Sequence, residues 1–434
     1  MINNNKILKI AIPSIVTNIT VPLLGLIDVA IVGHLGSSAY IGAIAVGGLV
    51  FNIIYWVFAF LRMGTTGMAS QAYGKRDLDE SVRLLLRSAG TGLVISLILV
   101  ALQYPILKVA FLLIKTTPEV QALASTYFHI LIWGAPAVLG LYGFTGWYIG
   151  MQNSRFPMLI AIVQNVVNIV FSMCLVYLFH LKMEGVAIGT LIAQYAGLII
   201  AVFLWVRFYK RLRRRIRIQG VWQRKAMLGF FAVNRDIFLR TICLVAVTMY
   251  FTSAGASQGN TVLAVNTLLM QFFILFSYFT DGFAYAGEAL VGKYVGAKNR
   301  IALNKTIKEL FAWGLGIALF FTCLYGFGEH FFIRFLTNEP EVIRVARDYS
   351  LWVCAIPLMS ISAFVWDGVY IGATATRQML LSMFLAAAVF FIAYISLRTA
   401  FGNHALWLAF ILYLFSRGLF QTALAKSVLN KKCK

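Results

Sequence analysis

Apolar residues in this chain come in long unbroken runs. A helix needs about 20 of them to cross a hydrocarbon core, and runs of that length recur almost from end to end. They predict twelve helices, over residues 10–33, 41–62, 88–114, 123–148, 156–179, 184–206, 228–254, 260–288, 306–332, 347–371, 378–398 and 404–426. Helices are the expected form because lipid offers unpaired backbone groups no partner. The regular alternation of polar and apolar positions that a membrane barrel requires is missing. The first run is too long for a cleaved leader and reads as a retained first helix.

Composition leaves little else to build: 61% of the 434 residues are hydrophobic and 12% charged, with no stretch left over for a sizeable soluble domain. The net charge of +22 would suit a nucleic acid, but its placement argues against that partner. Basic residues crowd every second connection: Lys75 and Arg76, Arg155, the run from Arg207 to Lys225, Lys293, Lys298 and Arg300, Arg377, and Lys431, Lys432 and Lys434. The alternate connections around His34–Tyr40 and Ser257–Asn260 carry no Lys or Arg. This positive-inside pattern puts both termini in the cytoplasm. Arg211, Arg213, Arg214, Arg215 and Arg217 then act as a topology determinant at the lipid headgroups. Cys174, Cys243, Cys323, Cys354 and Cys433 have no metal-ligand spacing, so neither a disulfide nor a metal is expected.

The chain also repeats itself. Gly146-Trp-Tyr-Ile-Gly150, followed by Arg155, returns 222 positions later as Gly368-Val-Tyr-Ile-Gly372, followed by Arg377. At the same offset Gly74 meets Gly296, Arg76 meets Lys298 and Tyr127 meets Tyr349. Six helices is an even number, so both halves start from the same side and repeat in parallel, as in secondary transporters that rock two lobes about a central site. The expected division is a first lobe over 1–206, a basic connecting loop over 207–227 and a second lobe over 228–434.

A charged side chain at the bilayer centre costs at least ~2.5–3.5 kcal/mol, so each needs a reason. Asp28 stands in an apolar helix whose nearest cation is Lys9. Counting the rise per residue places it about three quarters of the way across. Asn165, Asn168 and Ser172 share a face of the fifth helix, and Thr190 lies about two turns below the outer end of the sixth. Asp28, Asn168, Ser172 and Thr190 therefore reach the same outer depth and form the candidate proton- or ion-coupling group. Removal from water disfavours the charged form of a carboxyl, which lets Asp28 carry a proton; a hydrogen-bonded structural Asp is the alternative. Asn52, Trp56, Gln164, Asn165, Gln194, Asn266 and Met270 make up the candidate substrate cavity. In the second lobe Asp236, Arg240, Asp281, Asp367 and Arg417 suggest a mutually neutralised network that holds the lobe together, with Arg240 paired to Asp236 four residues earlier. A second proton or substrate site is the other reading of that network.

Several of these segments resemble a known family. Pro22-Leu-Leu-Gly-Leu-Ile-Asp28-Val-Ala-Ile-Val-Gly-His-Leu35, Phe60-Leu-Arg-Met-Gly-Thr-Thr-Gly67, Asn234-Arg-Asp-Ile237, Asp281-Gly-Phe-Ala-Tyr-Ala286, Asp367-Gly-Val-Tyr-Ile-Gly-Ala373 and Gly402-Asn-His-Ala-Leu-Trp407 are similar to the multidrug and toxic compound extrusion (MATE) family, especially its DinF branch. The resemblance covers essentially the whole chain. It implies an all-α, V-shaped, two-lobe exporter in the bacterial inner membrane that exchanges organic substrates for protons or sodium. The family's first-lobe cation site maps onto Asp28, Asn168 and Thr190. Members often carry a second acidic residue four positions after the helix 5 Asn, where this chain has Ser172. That departure weakens a dedicated sodium site and leaves weak sodium binding near Asp28. The expected partners are small organic molecules and membrane lipids, with no cofactor beyond the coupling ion and the chain acting as a monomer.

Two other functions fit less well. A flippase for lipid-linked precursors would line its cavity with cations for pyrophosphate, whereas the inward-facing first-lobe residues are Asp, Asn, Ser, Thr and Gln. An intramembrane enzyme needs a nucleophile–base pair or metal ligands, yet His34, His129, His180, His330 and His404 lie at or beyond the outer helix ends. With the resemblance as its main support, the reading is an exporter of amphipathic, often cationic organic compounds in exchange for protons; a sodium-coupled exporter and a lipid-linked precursor flippase of the same superfamily are the alternatives.

Overall fold

The computed structural model describes residues 2–33, 37–216, 219–337 and 339–432; His34, Arg217, Cys433 and Lys434 of the sequence reading lie outside them. Twelve helices are long and apolar enough to cross a membrane. They are α1 Asn4–Gly33, α2 Ala39–Gly74, α3 Leu78–Ala101, α4 Pro118–Gly150, α5 Arg155–Leu178, α6 Lys182–Phe208, α7 Arg224–Ala256, α8 Asn260–Gly296, α9 Arg300–Gly328, α10 Pro340–Gly372, α11 Thr376–Phe401 and α12 Asn403–Lys432. Among the described residues there is no strand.

Most helices run past their apolar windows, α3 among them. It starts at Leu78, well before residue 88, with Asp77 accepting from the Glu80 amide at 2.9 Å. The window missed this start because Arg83 and Arg87 lower its hydropathy. Both point at Glu80, at 3.4 and 2.5 Å. The same window fused two elements, since α3 ends at Ala101 and a separate helix follows over Gln103–Leu113.

The repeat is written into the backbone. Arg76 and Lys298, 222 positions apart, both leave a helix in the left-handed conformation, at φ 60° and 53°. Gln152 and Thr374 do the same at 68° and 50°. A side chain there costs about 1 kcal/mol, so its recurrence at one offset reflects one turn used twice. Glycine placement has the same logic. A Cβ on Gly146 would come within 2.4 Å of the Arg62 carbonyl, and one on Gly368 within 2.3 Å of the Ala284 carbonyl. Gly150 and Gly372 repeat the approach against Thr66 and Glu288, at 2.9 and 2.7 Å. The Gly-x-Tyr-Ile-Gly motif thus exists because α4 crosses α2, and α10 crosses α8, backbone against backbone.

The chain falls into two compact units, Val16–Phe231 and Met1–Ile15 with Ala232–Lys434. In the first, Trp147 donates to the Ser81 carbonyl at 2.8 Å and Tyr148 to the Ala201 carbonyl at 2.7 Å. The basic connecting segment is fastened to this unit: buried Arg87 donates to the carbonyls of Val221 and Gly220 at 2.6 and 3.1 Å, and Trp222 lies over Gly90. In the second unit, Tyr370 donates to the Gln421 carbonyl at 2.7 Å. The start of α1 packs here, with Gly282 of α8 against Ile15 and the Ala11 carbonyl.

Candidate functional site

The first unit brings the predicted coupling residues together. Asp28 on α1 is 4% exposed. Thr190 of α6 lies 2.9 Å from its Oδ2 through Oγ1, and the Asn168 amide of α5 donates to that hydroxyl at 2.8 Å. Ser172, one turn beyond Asn168, is fully buried. Gly189 explains how α5 and α6 come so close, because a Cβ there would lie 2.3 Å from the Ser172 hydroxyl. Asp28 Oδ1, Asn168 Oδ1 and Ser172 Oγ are buried without a hydrogen-bond partner. No Lys, Arg or His among the described residues pairs with Asp28, so its charge is not neutralised by a salt bridge.

The candidate cavity residues are spread more widely. Asn52 and Trp56 are exposed one turn apart on α2. Gln164 packs against Gly197, and Gln194 against Gly134 with its Oε1 buried and unpartnered. Asn165 donates to the Ala161 carbonyl at 2.9 Å. Asn266 and Met270 belong to the second unit. Asn266 exchanges hydrogen bonds with Asn403, at 2.8 and 2.9 Å, and accepts from Trp407 at 2.9 Å. These bonds tie α8 to the start of α12. The sequence reading missed both partners because they lie 137 and 141 residues away.

The second-unit charges organise around Asp367 on α10. Arg240 of α7 pairs with its Oδ2, Arg417 of α12 donates to the same oxygen at 3.0 Å, and Gln421 donates to Oδ1 at 2.7 Å. Asp281 of α8, in the same unit, is half-buried. The expected pair between Asp236 and Arg240 gives way to other partners. Asp236 takes Arg235 at 3.0 Å and Thr376 at 3.1 Å, which leaves Arg240 for Asp367. The pairing between helices replaces the one within a helix, although the two carboxylates are equally buried. Gln421 was not foreseen, although its spacing of one turn from Arg417 was a signal in plain view.

Two repeated sets of apolar helices, one of them holding a buried carboxylate without a cationic partner, define the class: a secondary transporter of the membrane. Comparison makes the assignment specific. The MatE family model matches residues 13–174 and 237–395. DNA damage-inducible protein F of Escherichia coli (strain K12) is 36% identical over 94% of this chain and 89% of its own length. The probable multidrug resistance protein NorM of Thermotoga maritima is 23% identical over 79% of this chain and 74% of its own. A crystal structure of MATE in the bent conformation superposes with a TM-score of 0.88 at 16% identity, covering 100% of this chain and 97% of that one. The chain belongs to the MATE family of multidrug and toxin efflux transporters, on the DinF side of that family, as its motifs indicated.

Proposed function

We propose that the chain exports amphipathic, often cationic organic compounds in exchange for protons, with Asp28 as the coupling carboxylate. It works from the bacterial inner membrane with both termini in the cytoplasm. One observation carries this reading: the Thr190 hydroxyl has one proton and two acceptors within reach, Asp28 Oδ2 at 2.9 Å and the Val186 carbonyl at 3.0 Å. When Asp28 is ionised, the hydroxyl donates to it. When Asp28 is protonated, the carboxyl donates to Thr190, which turns its own proton to Val186. Both charge states stay hydrogen-bonded, so a proton can load and leave without rearranging the backbone. An ionised carboxylate held away from water favours whichever cation reaches it. An organic cation and a proton compete for it, and protonation drives the substrate off.

Sodium is the second reading. Three buried oxygens lacking partners, on Asp28, Asn168 and Ser172, offer the oxygen-rich surroundings a hard cation prefers. Proteoliposomes with the two gradients imposed separately decide between them. A pH gradient alone should drive ethidium transport, and a sodium gradient at fixed pH should not. The reverse result overturns proton coupling.

A further inference from the structure

The repeat supplies a counterpart in the second unit for every residue of the coupling site, and all of them are aromatic. The register is fixed by structure. Arg62 corresponds to Ala284 and Thr66 to Glu288 through the glycine approaches, and Gln152 corresponds to Thr374 through backbone conformation. Continued at 222 positions, it matches Asp28 with Tyr250, Asn168 with Phe390 and Ser172 with Tyr394. Across α6 and α12 the offset becomes 220, because Tyr148 meets the Ala201 carbonyl where Tyr370 meets that of Gln421. Thr190 then corresponds to Phe410.

These counterparts also cluster. The Tyr250 ring stands edge-on to Phe390 at 6.1 Å, to Phe391 at 5.0 Å and to Tyr394 at 5.9 Å. Beside it, Phe251 meets Phe410 at 5.2 Å. Phe390 and Tyr394 are buried, while Tyr250 and Phe391 are half-exposed. Two packed rings thus support two whose surfaces remain partly open. Ring faces carry negative potential, which attracts organic cations and favours offset stacking of flat ring systems.

We propose that this cluster is a second-unit binding site for planar aromatic cations, standing where the first unit keeps its coupling carboxylate. The proposal rests on the exporter reading and divides its labour: the first unit handles the ion, and the second holds the ring system of the cargo. Ethidium is the probe, with its affinity for purified full-length protein in nanodiscs read by fluorescence anisotropy. Tyr250→Leu and Phe391→Leu should each weaken binding about fivefold, while Tyr250→Phe, which keeps the ring, should stay near wild type. A photoactivatable azide of ethidium, bound to the unaltered protein, should label α7 or α11. Ethidium binding that survives both leucine variants, or label confined to the first unit, overturns this site alone. Failure of the wild-type protein to bind ethidium overturns it together with the reading of cationic substrates.

Discussion

A buried carboxylate with no cation beside it is costly to keep, and that cost is what makes Asp28 the residue to alter first. Asn has nearly the same shape, so Asp28→Asn should fold and melt like wild type yet lose dye export driven by a pH gradient. Wild-type export by that variant would place coupling elsewhere. Thr190 makes a finer test. Thr190→Ser keeps the hydroxyl that serves both charge states and should preserve most transport. Thr190→Val leaves Asp28 Oδ2 without its donor and should lose most of it, as initial rates in proteoliposomes would record. The meeting of Asp28, Asn168 and Thr190 was legible in the sequence because the helical rise is nearly constant, so depth can be counted. The choice of acceptors at Thr190 and the fit of Gly189 against Ser172 were not legible. They depend on how helices are rotated and spaced, which the spacing of residues along one chain does not encode.

At the scale of helices, Asp367 fastens α7, α10 and α12 at one point. Asp367→Asn would leave the Arg240 and Arg417 guanidiniums buried side by side without their carboxylate. Losing one partner of such a group costs about 3–5 kcal/mol, so denaturation in detergent should register a large drop in stability; an unchanged melt would mean that the network is not structural. Arg87 performs a similar service for the connecting segment. With Arg87→Ala, trypsin should cut the Arg211–Arg215 region faster than in the wild type, as mass spectrometry of the fragments would report. The twelve helices were plain from hydropathy, but their ends were not, since polar first turns such as that of α3 fall below any apolar window. Arg240 was assigned the wrong carboxylate because spacing rules describe a lone helix, whereas its partner comes from another.

For the molecule as a whole, the alternation of basic and neutral connections predicts a cytoplasmic connecting segment and an external α1–α2 connection. In a background without native cysteines, Ser37→Cys should react with an impermeant thiol reagent added to intact cells, and Gln219→Cys should react only after lysis. The opposite pattern would invert the topology. The two-fold repeat was legible at this scale because the glycines and turn residues that enforce it are local. The membership of α1 in both units was not, because nothing in the sequence of its first fifteen residues names the helices they pack against. That shared membership has a consequence for the order of assembly. Chains emerge N-terminus first, and domains generally fold in that order. Yet Met1–Ile15 belongs with Ala232–Lys434, so this segment, made before the rest of α1, must wait for α8, and Gly282 on it, before it finds its partners. In the interval one end of α1 can dock while the other lies unpacked in lipid. A chain arrested before α8 should hold the start of α1 open to lipid-soluble labels, and its burial dates the arrival of the second unit rather than the making of α1.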